Sequence, residues 1–227
     1  MERKDLSVDQ IRTAEPGATY HPAIKFFAQF FSYLFHPIFI PVYVTWFLTF
    51  VHPGYFAGFS AHQKTWIIIR VAYSMVLLPL IVVLLLKALG FSKSIFLKTQ
   101  QERIIPYITS NIFFFWAYLV FRNQPEIPKV ITAFTFGVFL ACSAALLFNI
   151  RMKISMHAIG VGGLIGLLLM VLFSNTVMMG APLSIGLLIA GLVCTSRMIV
   201  SDHTQQEIYL GFLLGFACQV LAAVFIN

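Results

Sequence analysis

Long apolar runs separated by short polar segments make up the chain after residue 25. One helical crossing of a bilayer needs about 20 mainly apolar residues. Seven runs approach that length: 30–51, 67–86, 104–121, 130–150, 158–173, 183–195 and 208–226. Their hydropathy is unbroken rather than alternating, which favours helices over the strands of a membrane barrel. The pattern predicts an all-α fold, a polytopic transmembrane helical bundle.

The number of crossings depends on the first apolar run. Pro37 and Pro41 lie inside it, and proline removes an amide donor and interrupts a helix. The run is either a true crossing, which gives seven spans, or a re-entrant or interfacial element, which leaves six. We therefore predict six or seven spans, with a polar N-terminal tail over residues 1–25 and the transmembrane domain over 26–227.

Composition agrees with a membrane location. Hydrophobic residues make up 59% of the 227 residues, charged residues make up 10%, and the mean hydropathy is +0.89. An ordinary soluble domain has roughly 25% charged residues. The net charge of +7 suits membrane topology, anionic headgroups or an anionic substrate. Because the cations are dispersed between apolar runs, we expect membrane lipids as partners and no nucleic acid.

Charged residues gather in the connections after the second, fourth and sixth predicted spans. If the helices alternate in direction, these connections share one membrane face. That face would then hold most of the cations together with two histidines and Glu207; its charged residues are Lys87, Lys93, Lys98, Glu102, Arg103, Arg151, Lys153, Arg197 and Asp202. Charge near lipid is costly, so such a gathering predicts a functional site. For Lys87, Lys93, Arg151 and Lys153 we favour ordinary snorkelling at span ends.

The segment SRMIVSDHTQQE, residues 196–207, contains the strongest candidate chemistry. Asp202 is placed to cap a helix that begins at His203. His203 and Glu207 are then four residues apart on one helical face, where the carboxylate can hold one ring nitrogen and leave the other to react. Arg197 would point about 240° away in a continuous helix. A break around residues 201–202 would let it converge on His203 as a phosphate ligand.

Two further segments add to the same face. In KISMHAIGVGG, Ser155 is placed to cap the fifth span, and His157 falls in the first turn. In KTQQERIIPYI, Lys98 and Arg103 precede the third span. The three segments contain no cluster of oxygen ligands suited to a hard cation, so we expect neither a metal nor a cofactor.

These segments resemble the motifs of the type 2 phosphatidic acid phosphatase superfamily, a family of enzymes that dephosphorylate lipid phosphates. The stretch from Ser196 to Glu207 resembles its SRxxxxxHxxxD signature. In that stretch Ser196 and Arg197 are followed by five residues and His203, and then by three residues and Glu207. The tripeptide at 155–157 resembles its PSGH element, and residues 98–106 resemble its KxxxxxxRP element. The similarity covers the motif-bearing core at 98–215.

The chain also departs from the family pattern. Glu207 stands where the family has aspartate, which keeps the carboxylate and adds a methylene. Ile154 and Met156 replace the proline and glycine of PSGH. Lys98 lies five rather than seven positions before Arg103, and no proline directly follows that arginine.

The resemblance implies a metal-independent phosphoric ester hydrolase that acts on a lipid phosphomonoester or pyrophosphate. It implies that His203 attacks phosphorus to form a phosphohistidine, that Glu207 orients His203, and that His157 protonates the leaving oxygen. The phosphoryl oxygens would be bound by Arg103, Arg197, Ser155 and Lys98.

The expected location of the protein and three alternative functions remain to be stated. We expect a bacterial inner-membrane protein with its site on the periplasmic side, although the cation bias alone would favour the cytoplasm. A transporter could use the same basic site without cleaving phosphate. A redox protein could bind haem through His36, His157 or His203. A noncatalytic family member would bind lipid phosphate with His203 dispensable.

Overall fold

The computed structural model describes residues 20–91, 99–174, 178–200 and 203–226. Within them every regular element is a helix, which confirms the all-α prediction. The helices are α1 Pro22–Leu34, α2 Ile40–Trp46, α3 Ala61–Ala72, α4 Leu78–Ala88, α5 Gln100–Arg122, α6 Lys129–Phe148, α7 Met156–Ser174, α8 Gly180–Val200 and α9 Gln205–Ile226. A π-helical turn, Phe47–Val51, extends α2, and another, Tyr73–Leu77, joins α3 to α4.

Six helices in the described part of the chain are long and apolar enough to cross a membrane. They are the joined helix Ala61–Ala88 and the five helices from α5 to α9. The protein is therefore an integral membrane protein whose described residues include six candidate spans, preceded by the shorter helices α1 and α2.

The crossing predicted over residues 30–51 is wrong. That run contains the end of α1, a turn around Pro37, and α2 with its π-helical turn. Pro41 falls in the first turn of α2, where its missing amide costs no helical hydrogen bond. The alternative with six spans is the one observed. Helix α1 also begins at Pro22, inside the predicted polar tail, and the side chain of His21 caps it.

Polar caps set several helix starts ahead of the apolar runs. Ser60 and Gln63 form a capping box, so the first span begins six residues before the predicted position 67. Thr99 and Glu102 do the same for α5, which begins at Gln100 rather than 104. Hydropathy misses these first turns because their side chains are polar, whereas capping satisfies the free amides of the helix start.

Helices α7 and α9 pack most closely against each other, with α6 against α9 and α8 against α7. Glycines allow this approach: a Cβ on Gly162 would collide with the carbonyl oxygen of Phe212, and one on Gly215 with that of Ile159. At the ends of the two helices, the amide of Ser155 donates to the carbonyl oxygen of Glu207 at 3.3 Å. The packing therefore fixes the N-termini of α7 and α9 side by side.

The connections predicted to share one face do meet. Gln100 at the start of α5 and Asn149 after α6 exchange two hydrogen bonds, each of 2.9 Å. Arg103 on α5 donates to the carbonyl oxygen of Ile154, just before α7, at 3.3 Å. We call the end of the bundle formed by the starts of α5, α7 and α9 the site face.

Candidate active site

The start of α9 has a different cap from the one predicted. The hydroxyl of Thr204 accepts from the amide of Glu207 at 3.3 Å, and the Glu207 carboxylate accepts from the amide of Thr204 at 3.0 Å. This reciprocal pair is a capping box. Helix α9 therefore begins at Gln205 rather than at His203. The predicted cap, Asp202, lies outside the described residues.

The same carboxylate holds His203, as predicted. Nδ1 of His203 lies 3.1 Å from Oε2 of Glu207, and the histidine side chain is only 4% exposed. A carboxylate accepts, so Nδ1 carries the proton and Nε2 carries a lone pair. The reason for the contact differs from the prediction: Glu207 reaches back from the first turn to a residue that precedes the helix. One buried carboxylate thus fixes both the helix start and the histidine tautomer.

The charges around His203 set its protonation. Burial is the largest influence and lowers its pKa below the usual 6.5. The hydrogen bond and charge of Glu207 raise the pKa, whereas the cations Arg103 and Arg197 lower it further. The net effect is a lowered pKa, so His203 is neutral at neutral pH and its Nε2 lone pair is available for attack on an electrophile.

Arg103 is buried on α5, with 6% of its surface exposed. Besides its bond to Ile154, it interacts electrostatically with Glu207 and with Tyr107 one helical turn away. A buried cation at the end of an apolar helix is expensive unless it has oxygen partners, so this placement marks a site rather than a lipid-facing anchor. The prediction placed Arg103 at this face, and the structure places it there.

Ser155 and His157 lie at the start of α7. The hydroxyl of Ser155 accepts from the amide of Ala158 at 3.5 Å, which confirms the predicted cap. His157 interacts electrostatically with Arg197 and His203, so α7, α8 and the segment before α9 converge. Residues 201–202, where the break was predicted, lie outside the described residues; α8 is described up to Val200, and His203 and Thr204 precede the start of α9 at Gln205. Predicted ligand Lys98 lies outside the described residues.

Helix α1 and the turn that follows it contribute two residues that the motifs missed, Ser32 and His36. Nε2 of His157 lies 3.1 Å from the carbonyl oxygen of Ser32, and Nη1 of Arg197 donates to the Ser32 hydroxyl at 3.5 Å. The ring of His36 stands edge-on to that of His157, with centroids 5.0 Å apart. His36 was weighed only as a haem ligand. The only sequence feature that links His36 to the site is its spacing of four residues from Ser32 within an aromatic run.

The described side chains of the site face are mainly imidazole and guanidinium groups. Among the described residues, no group of three or more histidine, cysteine, aspartate or glutamate side chains is arranged to hold a metal ion. The arrangement instead combines one oriented imidazole, a second histidine, two guanidinium groups and the start of a helix. Such a set can bind a phosphoryl group and transfer it to nitrogen.

No family model, no curated protein and no solved structure matches the chain. The chemical interpretation therefore depends on the motifs and on the geometry of the site face.

Proposed function

We propose that the protein is an integral-membrane lipid phosphatase that works through a phosphohistidine. One observation carries the proposal: buried His203, with its Nδ1 held by Glu207, lies within the electrostatic reach of Arg103, Arg197 and His157. A stably neutral imidazole beside two guanidinium groups is suited to attack an anionic phosphoryl group. The resemblance to the phosphatidic acid phosphatase superfamily motifs supports the same chemistry.

In the first step Nε2 of His203 attacks phosphorus, a P–N bond forms and the P–O bond to the alcohol breaks. His157 gives a proton to the leaving oxygen, and Glu207 stabilises the positive charge that develops on His203. The guanidinium groups of Arg103 and Arg197 neutralise the phosphoryl oxygens in the transition state. In the second step His157 takes a proton from water, whose oxygen attacks phosphorus; a P–O bond forms, the P–N bond to His203 breaks, and inorganic phosphate leaves.

The position of the site favours an amphiphilic substrate. The site face lies at the ends of apolar helices, where a phosphate at headgroup depth can reach it while its hydrocarbon tail stays in lipid. We therefore propose a lipid phosphomonoester or lipid pyrophosphate as substrate, with Ser155 and Lys98 as further phosphate ligands.

We further propose that the site face is periplasmic in a bacterial inner membrane. Arg151 is exposed in the connection between α6 and α7. In a variant without native cysteines, Arg151→Cys should react with an impermeant maleimide in cells whose outer membrane alone is permeable. Reaction only after the inner membrane is opened would place the site in the cytoplasm.

The test of activity is phosphate release from a panel of lipid phosphates. We expect release by wild type, loss in His203→Ala, and wild-type rates in His62→Ala. His62 is the matched control, because it is exposed on α3 and bonds only to Trp66 of its own helix among the contacts described. Binding of lipid phosphate without release, equal in wild type and His203→Ala, would favour the transporter or the noncatalytic protein instead.

A further inference from the structure

The last turn of α1 lies against two residues of the proposed site. Ser32 is 4% exposed and contacts both of them through different atoms. Its carbonyl oxygen lies 3.1 Å from Nε2 of His157, and its hydroxyl accepts from Arg197 at 3.5 Å. Because no motif includes α1, its contact with the proposed acid calls for its own explanation.

The carbonyl contact fixes the tautomer of His157. A carbonyl oxygen can only accept, so Nε2 of His157 carries the proton in this bond. In the neutral ring the lone pair is then on Nδ1. When the ring is protonated, Nδ1 gains the transferable proton while Nε2 stays bonded to Ser32.

The ring of His36 contacts the same histidine. Its Nδ1 accepts from the amide of Ile38 at 3.3 Å, which fixes the orientation of His36. Its ring meets the His157 ring at 82°. Burial, and then the charge of Arg197, lower the pKa of His36 to about 4. His36 therefore stays neutral over the physiological range.

We propose that the end of α1 positions the acid of the reaction: the Ser32 carbonyl and the His36 ring hold His157 so that Nδ1 delivers the proton to the leaving oxygen. This inference rests on the proposed phosphatase function. Ser32 and His36 are positioning residues, since they act through His157. The other ionisable groups that interact with His157 are Arg197 on α8 and His203 before α9.

The test compares two substrates that differ in their need for an acid. An alkyl phosphate needs its leaving alcohol protonated, whereas a nitrophenyl phosphate releases a stable anion. General acid catalysis contributes about a hundredfold or more to reactions that need it. We expect His36→Phe to lower kcat/KM about tenfold for the alkyl substrate and less than about threefold for the nitrophenyl substrate. His157→Gln should show the same selectivity with a larger loss.

Ser32→Ala provides the matched contrast. It keeps the carbonyl that holds His157 and removes only the hydroxyl that contacts Arg197. We expect it to slow both substrates by the same factor, because phosphate binding by Arg197 is needed whichever alcohol leaves. Equal losses for the two substrates in His36→Phe, or no loss, would overturn the positioning role. If His36→Phe does not fold, His36→Gln is measured in its place.

A spectroscopic measurement separates this inference from the activity. Nitrogen-15 NMR at pH 8, with His157 assigned by its absence in His157→Gln, should show a protonated Nε2 and an unprotonated Nδ1. The reverse tautomer would overturn the inference even in an active enzyme. If wild type releases phosphate from neither substrate, the proposed function fails, and the tautomer still decides whether α1 orients His157.

Discussion

The close packing of α7 on α9 gives a sharp structural prediction at Gly215. A Cβ there would collide with the carbonyl oxygen of Ile159. It would also lie 2.8 Å from the carbonyl carbon of Ile159 and 3.0 Å from the amide nitrogen of Gly163. These are backbone atoms, so no side chain can rotate to make room. Overpacking of this kind costs about 1–3 kcal/mol. We expect Gly215→Ala to lower the free energy of unfolding by that amount.

The assay is unfolding of the detergent-solubilised protein by heat or SDS, with Gly191→Ala as the control. Gly191 lies inside α8, and a Cβ there meets nothing within 4 Å. Alanine is the better helix former by about 0.5–1 kcal/mol, so Gly191→Ala should be neutral or slightly stabilising. Equal stabilities of the two variants would refute the packing argument. Gly215→Ala should also reduce phosphate release, because separating the helices breaks the bond between Ser155 and Glu207.

Three more predictions follow from the site face. The pKa of His36 is about 4 in the fold and 6.5 in the unfolded chain, so the unfolded state binds the proton first and stability falls as pH drops from about 6.5 to 4. Between pH 7.5 and 5 this group removes about 2 kcal/mol, and denaturation curves of His36→Gln should lack that part of the loss. Glu207→Gln keeps an acceptor for the helix cap but loses the charge that stabilises a positive His203. We therefore expect kcat to fall about a hundredfold, with a small change in KM and in melting temperature. A change confined to KM would contradict this role of Glu207. Arg103→Lys loses the planar fork that donates to the Ile154 carbonyl and that we propose also binds the phosphate. Steady-state kinetics should show KM raised about tenfold, and an unchanged KM would mean that Arg103 does not bind the phosphate.

Most of the bundle could be predicted from the sequence, because a helix that crosses a bilayer needs a long apolar run and hydropathy detects such runs. Apolar runs near 20 residues correspond to six observed helices. Hydropathy failed at the first run because residues 30–51 are apolar throughout, whereas the turn around Pro37 separates α1 from α2. It also placed helix starts too late, since caps such as Thr99 are polar and lie outside an apolar window.

The site was predictable where its residues are close in sequence. The spacing of four between His203 and Glu207 was enough to predict their contact, although Thr204 rather than Asp202 is the observed cap of the helix. Contacts made by tertiary packing had no such signal. Ser32 and His157 are 125 residues apart, and their bond joins a backbone carbonyl to a ring. A backbone partner leaves no requirement on residue type, so no motif can contain it.

The proposed mechanism requires that His203 become covalently phosphorylated, and this intermediate can be trapped. The protein is mixed with lipid substrate labelled with phosphorus-32 in its phosphate, quenched in base, digested and mapped by mass spectrometry. If the phosphohistidine forms, the label lies on His203, survives base and is lost in acid, and His203→Ala carries no label. Phosphate release without label on His203, or label on another residue, would contradict the account.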